Sequence, residues 1–287
     1  MENIKEAKKI VEDLKQKHRV KDNYEIAFIM GSGLDGGTPE FENKLEISYV
    51  ETSMPKSKVH GFSGKFVFGK LFGKNVMKIT RYHYYESGNV KLVRLPFAIL
   101  HEFGIKTVIM ATATGGVDKS FDVGTLMLIT DHINFTGYNP LIATDKIEFI
   151  DLNNAYDKNL ANKTLQIAKN VGVDLKVGTH IQFSGPTYET PAEVDMARMF
   201  GAKTVSMSTA YDTICARKFG IKVIAFASVV NKAGIADEII THEMVLEASK
   251  KNSVKINMIL NELLKNMWIT TNLNKFKLFS KTTLKRR

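Results

Sequence analysis

VGTHIQFSGPTYETPAE, residues Val177 to Glu193, reads as a strand, a loop and the start of a helix, in that order. Val177 to Phe183 alternates as a strand does, and Ser184-Gly185-Pro186 ends it. Thr190 has the properties of an N-cap and Pro191 suits the first helical position. Glu193, three residues after Thr190, completes a capping box. Outward from this segment, the helices Pro191 to Phe200 and Ala210 to Phe219 alternate with the strands Thr204 to Ser208 and Lys222 to Val230. Such alternation predicts an α/β fold, its second half largely parallel with crossover helices.

Further strands are expected near Glu25 to Met30, Leu45 to Val50, Lys65 to Leu71, Val76 to Arg81, Thr107 to Ala113 and Thr125 to Ile133. Helical periodicity covers Ile4 to Lys17, Val90 to Phe103, Lys158 to Val171 and His242 to Met267. No helix separates the strands between Leu45 and Arg81, so that part of the sheet is expected to be antiparallel or mixed. The chain has 287 residues, 44% of them hydrophobic and 24% charged, and no Pro-rich or Gly-rich linker divides it. One domain over residues 1–264 is the simplest fit, followed by a basic tail over 265–287. That tail holds Lys265, Lys275, Lys277, Lys281, Lys285, Arg286 and Arg287 and no acid, which is most of the formal charge of +10. It is expected to be solvated and mobile. No nucleic-acid module is present, and neither nucleic acid nor a membrane is expected as a partner. Met1 to His18 lacks the apolar core of a signal peptide, and the apolar run Val223 to Val230 is too short to span a bilayer. A single cysteine, Cys215, fits a reducing, cytoplasmic compartment and reads as helix core packing.

Because Thr190 and Glu193 cap the helix by themselves, Glu189 is left over on the loop before it. It is either an acid that suits the helix macrodipole or a ligand-binding carboxylate. Four other segments after strands are rich in anion donors. Gly31-Ser32-Gly33-Leu34-Asp35-Gly36 matches G-x-G-x-x-G, yet Pro39 and another strand follow where a dinucleotide fold needs a helix. Its glycines still let backbone N–H groups approach an oxyanion. Arg81 and His83, two residues apart in extended chain, point to one side and can grip phosphate. Ala113-Thr114-Gly115-Gly116 has the small residues of a turn that exposes backbone donors. Ser208 stands just before the helix at Ala210, whose Thr209 and Asp212 match a second capping box. His18, His101, His132 and His180 have no metal-ligand spacing, and no metal is expected.

These segments resemble, in order, the trimeric class of purine nucleoside phosphorylases within the nucleoside phosphorylase family. The resemblance runs through Gly31-Ser32-Gly33, Arg81 to Glu86, Gly115-Gly116, Asp131 to Asn134, Ser184 to Glu193, Met207-Ser208-Thr209 and Asn231-Lys232. It covers roughly Glu25 to Leu264. It implies a single α/β domain whose mixed, barrel-like central sheet is flanked by helices. The implied activity is reversible phosphorolysis of 6-oxopurine (deoxy)ribonucleosides such as inosine and guanosine, giving base and (deoxy)ribose 1-phosphate, a purine-salvage reaction. Inorganic phosphate is then the co-substrate and no cofactor is implied. By the same resemblance Ser32, Arg81, His83, the Ala113 backbone N–H and Ser208 would hold phosphate. Tyr85, Met207 and His242 would line the sugar. Tyr188 would pack on the base, while Glu189 and Asn231 hydrogen-bond it. Glu189, Asn231 and His83 would be the catalytic set. Phe149 matches a position that reaches into the neighbouring subunit's sugar site, which implies a homotrimer.

The chemistry needs these residue types. Cleaving an N-glycosidic bond leaves positive charge on the sugar, which a phosphate dianion stabilises as it attacks C1′, and negative charge on the purine. Asn231 can donate to N7 and O6 of the departing base, and Glu189 can accept from N1–H. Adenine, with a lone pair at N1, would suit Asp better at position 231, as in the related methylthioadenosine phosphorylases. Two positions depart from the family: Thr112 where relatives commonly carry Asn, and Phe62 where they carry a loop His, with His60 two residues before it. The alternatives are a 5′-methylthio-nucleoside phosphorylase, a nucleoside hydrolase and a catalytically silent nucleoside-binding protein.

Overall fold

Every expected strand and helix forms, and the sheet they build is mixed. A computed structural model describes residues 2–56, 64–144, 146–235 and 242–283, with the side chains of residues 2, 242, 243 and 268–283 outside the description. The strands are β1 (Ile26–Met30), β2 (Glu42–Ser48), β3 (Lys65–Leu71), β4 (Lys74–Ile79), β5 (Thr107–Gly116), β6 (Leu126–Asn134), β7 (Leu175–Gln182), β8 (Ala202–Ser206) and β9 (Lys222–Lys232). The helices are α1 (Glu2–His18), α2 (Val90–Glu102), α3 (Lys158–Asn170), α4 (Pro191–Met199), α5 (Ala210–Lys218) and α6 (His242–Thr283).

Strands β5, β8, β7, β6 and β9 form a closed barrel, because β9 pairs back onto β5. From β5 the sheet continues outward through β1, β4, β3 and β2. The helix-free segment is the antiparallel meander β2-β3-β4, joined in parallel to β1. In the second half β7 and β8 are parallel, as α4 between them requires, but β5–β8 and β6–β9 are antiparallel.

The period of two along β1 explains the layering. Ala27 and Ile29 face a core shared with α1, α2 and α5, whereas Ile26, Phe28 and Met30 face one shared with α3 and α6. Cys215 lies on α5 in the first of these, buried as expected, and that burial pushes its thiol pKa well up. Among the described residues no helix is long and apolar enough to cross a membrane.

Two boundaries differ from the sequence reading. Ala113 to Gly116 is strand, not a turn, because Gly115 and Gly116 pair with Val205 and Thr204 of β8 on one side and with Asn231 and Lys232 of β9 on the other. Glycine serves here as a close-approach residue: a Cβ on Gly115 would stand 3.0 Å from that of Ala233. Helix α6 runs past Met267 to Thr283, and no Gly or Pro interrupts that stretch. The mobile tail expected over 265–287 falls mostly on side chains outside the described residues.

Candidate active site

The cavity owes its existence to how β5 is paired. One edge of β5 pairs with β9 along its whole length, with one register shift after Thr114, while the other bonds β1 only as far as Ala111 and β8 only from Gly115. Thr112, Ala113 and Thr114 lie between those pairings, where the sheet splits from the barrel. A cavity of about 190 Å³ opens there, with all three in its wall. Ligand sites gather where neighbouring strands part in this way.

Beyond β5, five segments bring expected site residues to it. Ser32 comes from the loop after β1, where Gly31 N–H donates to Ala111 O at 2.8 Å. Gly33, at φ +72°, packs its α-carbon on α6, where a Cβ would stand 2.7 Å from that of Ser249. Arg81, His83 and Tyr85 come from the segment after β4, and Met207 and Ser208 from the turn between β8 and α5. Tyr188 and Glu189 come from the loop before α4, and Asn231 from β9 beside Gly115.

Arg81 is buried and held from four directions. Its Nη1 lies 2.6 Å from the carboxylate of Asp212 and 3.4 Å from Thr209 Oγ1. Its Nη2 donates to Ile29 O at 3.4 Å and Ala111 O at 3.3 Å. This corrects the second capping box: the Thr209 side chain makes no capping bond, and its φ of +85° is not that of a cap. Asp212 is instead the buried counter-charge of Arg81. His83 is oriented by Glu86, whose Oε1 accepts the His83 backbone N–H at 2.6 Å and lies 3.3 Å from Nδ1. The imidazole stacks on Tyr85 at 4.9 Å, and burial pushes the Tyr85 phenol up to about 12.

The first capping box is present as expected. Thr190 Oγ1 accepts from Glu193 N–H at 3.3 Å, and Glu193 accepts from Thr190 N–H at 2.7 Å. Glu189 is thereby left to the cavity. Burial raises its carboxyl pKa, Glu193 adds to the rise, and a backbone hydrogen bond opposes it. Thr112 turns its hydroxyl to Ser208, the two oxygens 3.0 Å apart.

The structure therefore unites ten of the expected residues in one wall: Ser32, Arg81, His83, Tyr85, Ala113, Tyr188, Glu189, Met207, Ser208 and Asn231. Phe149 is not among them; it stands 98% exposed on the chain's surface. The side chain of His242, and both Phe62 and His60, lie outside the described residues. Also lining the cavity are Thr114 and Ser206, which lie in donor-rich segments but have no role assigned from sequence, and Val205, Val230 and Val245, which no sequence pattern singles out. Val230 is the extra residue where the β5–β9 register shifts, a feature of pairing that local sequence does not mark. Among the described residues no group of three or more His, Cys, Asp or Glu is placed to hold a metal ion.

Comparison with known proteins bears on the family and the fold. The family model of the Phosphorylase superfamily matches residues 25–265. Purine nucleoside phosphorylase 1 of Bacillus subtilis is 36% identical over 242 residues, which are 82% of this chain and 89% of that one. The purine nucleoside phosphorylase of Rattus norvegicus is 36% identical over 266 residues, 88% of this chain and 90% of that one. The crystal structure of Schistosoma mansoni purine nucleoside phosphorylase in complex with adenosine superposes with a TM-score of 0.84 at 29% identity, covering 91% of this chain and 97% of that one. The enzyme from that organism has also been solved with inosine, and a Schistosoma one with guanosine.

Proposed function

We propose, from the premise that the chain belongs to the phosphorylase superfamily and is an enzyme of the purine nucleoside phosphorylase type, that it catalyses reversible phosphorolysis of 6-oxopurine nucleosides. Inosine and guanosine, in ribo or deoxyribo form, give the base and (deoxy)ribose 1-phosphate, as purine salvage in the cytoplasm requires. One observation carries the reading. Glu189 and Asn231, a carboxylate and an amide from different elements, share one cavity with the anion donors Ser32, Arg81, His83 and Ser208.

In this reading the four side chains and the Ala113 N–H hold inorganic phosphate, the sole co-substrate, with no cofactor. Tyr85, Met207 and His242 line the sugar, and Tyr188 packs on the base. Phosphate stabilises the charge that develops on the ribose and attacks C1′, so no protein nucleophile is needed. Asn231 donates to the purine as negative charge grows on it, and Glu189 accepts from N1–H. Phe149 is 98% exposed and outside this chain's own cavity wall, which fits a homotrimer in which a neighbour's Phe149 closes each sugar site.

The decisive experiment is inosine turnover with and without phosphate, followed by release of hypoxanthine. Cleavage is expected only with phosphate, with ribose 1-phosphate as product. Free ribose formed without phosphate would mean a hydrolase, and tight inosine binding without turnover a silent receptor. A structure of a relative holds adenosine, so the expectation here is one of rate. At equal concentration inosine is cleaved faster than adenosine.

That preference is expected to depend on pH. An ionised Glu189 accepts N1–H of inosine, whereas a protonated one donates to N1 of adenine. Since burial holds its pKa above the ordinary 4.5, the ratio of inosine to adenosine kcat/KM falls as pH drops from 8 toward 5. Titration of phosphate itself cancels in the ratio. A flat ratio would show that the Glu189 proton does not read the base.

Gly185 offers a packing test. It has φ +67°, and a Cβ there would collide with Met207 and lie 3.1 Å from a Tyr85 ring carbon. Gly185→Ala is expected to raise the KM for inosine at least about fivefold and to lower the thermal midpoint by several degrees, since strain and displacement together cost about 1–3 kcal/mol. Unchanged kinetics would separate the sugar site from this contact.

A further inference from the structure

His180 is fully buried and outside the cavity wall, yet it touches the turn that carries two of the site's side chains. His180 and Gln182 share one side of β7, two residues apart. Each engages one carbonyl of the turn between β8 and α5. His180 Nε2 lies 3.3 Å from Ser208 O, and Gln182 Nε2 donates to Met207 O at 3.4 Å. Gln182 Oε1 in turn accepts the Tyr211 N–H at 3.0 Å, in the first turn of α5.

Two hydroxyls complete the arrangement. Ser206 Oγ lies 3.0 Å from His180 Nε2 and accepts the Ser208 N–H at 3.2 Å. Thr204 Oγ1 lies 3.0 Å from His180 Nδ1. Ser206 Oγ donates its own hydrogen to Ser208 O at 3.3 Å and so accepts from His180; Nε2 therefore carries the ring hydrogen and Nδ1 accepts from Thr204. Burial pushes the imidazole pKa down to about 3, which keeps this neutral form at working pH.

The turn needs such a hold. Thr209, a β-branched residue, sits at φ +85° without capping α5. The Ser208 N–H and C=O are both engaged inside the protein, so Ser208 has its hydroxyl to offer the cavity, beside that of Thr112.

We propose that His180, acting with Ser206, is a positioning residue for phosphate: it holds the backbone of Ser208 so that the hydroxyl points at the anion. The inference rests on the reading of Ser208 as a phosphate ligand. Gln182 holds Met207 separately, so loss of His180 acts on phosphate more than on nucleoside.

The test measures KM for phosphate and for inosine, with thermal midpoints, in His180→Phe, His180→Gln, Ser206→Ala and Ser208→Ala. Phe keeps the ring volume without the hydrogen bonds. The Gln amide reaches about as far as imidazole Nε2 and restores a donor. His180→Phe is expected to raise the phosphate KM about tenfold and the inosine KM less than about threefold, as for losing one or two hydrogen bonds that act through the turn. His180→Gln is expected to stay within about threefold of the parent, and Ser206→Ala to rise severalfold for phosphate alone. If His180→Phe does not fold, Ser206→Ala decides by the same criterion. Both KM values rising together with a lowered midpoint, and no rescue by Gln, would reduce His180 to a core residue and overturn the proposal. An elevated phosphate KM in Ser208→Ala with silent His180 and Ser206 variants overturns the positioning role alone. A silent Ser208→Ala overturns the phosphate assignment beneath it.

Discussion

Replacing Glu189 by Gln is expected to lower kcat/KM for inosine roughly 100-fold while leaving the thermal midpoint at neutral pH unchanged or slightly higher. The activity loss follows from chemistry at the base. A carboxylate accepting N1–H makes a charge-assisted bond that fixes a 6-oxopurine against Asn231, and a neutral amide makes a weaker one and can present its donor instead. The stability half follows from linkage. Burial, with Glu193 adding to it, raises the Glu189 carboxyl above 4.5 in the folded chain. The folded state therefore binds this proton more tightly than the unfolded one. Stability falls as pH rises from the unfolded pKa to the raised folded one, and the full penalty remains above it. Gln removes that penalty, and Thr190 and Glu193 still cap α4. Full activity with unaltered selectivity would show that Glu189 merely ornaments a helix end. A loss of activity that tracks a lowered midpoint would assign it to folding.

The contrast between Glu189 and Asp212 shows what could be read before the structure. Both lie close to a capping-box pattern, and local sequence separates signal from coincidence in only one case. At α4 the pattern is complete and nothing distant competes for Thr190, so the local reading holds. At α5 the same spacing is present, but Arg81 lies 131 positions before Asp212 in the chain and takes its carboxylate. A partner that the sheet delivers leaves no trace in local spacing. His180 was hidden for a similar reason: its partners Thr204, Ser206 and Ser208 are 24 to 28 residues away and reach it through the β7–β8 register. Strands and helices were legible because apolar periodicity is itself local. Ala113 to Gly116 misled because paired glycines usually mark turns, whereas here they let two flanking strands approach. The cavity residues could be grouped because their segments match a known family in order; the β5 gap that joins them is a property of pairing alone.

Asp212→Asn is expected to lower the thermal midpoint by roughly 6 to 12 °C without phosphate, and to gain more from added phosphate than the parent does. The Arg81 and Asp212 side chains are 2% and 3% exposed with 2.6 Å between them, so neither charge has water to replace the other. Breaking such a pair from one side costs about 3–5 kcal/mol, and Asn, which keeps a polar oxygen beside the guanidinium, belongs near the lower figure. At about 2 to 4 °C per kcal/mol this gives the range above. The phosphate response has the opposite sign. In the parent, Asp212 offsets part of the Arg81 charge before any anion enters the cavity. In the variant that charge is uncompensated, and a phosphate dianion in the same wall supplies what was removed. Ligand that binds only the folded state stabilises by RT ln(1 + [L]/Kd), so a lower Kd gives a larger shift at the same concentration. The KM for phosphate should fall severalfold with no gain in kcat, because tighter ground-state binding does not lower the barrier from the bound state. Arg81→Gln is the control: it breaks the same pair from the other side, is also destabilised, and should raise the phosphate KM. Equal phosphate-induced shifts in the Asp212→Asn and parent proteins would mean that the Arg81 charge does not act on the anion, leaving its capture to His83, Ser32 and Ser208.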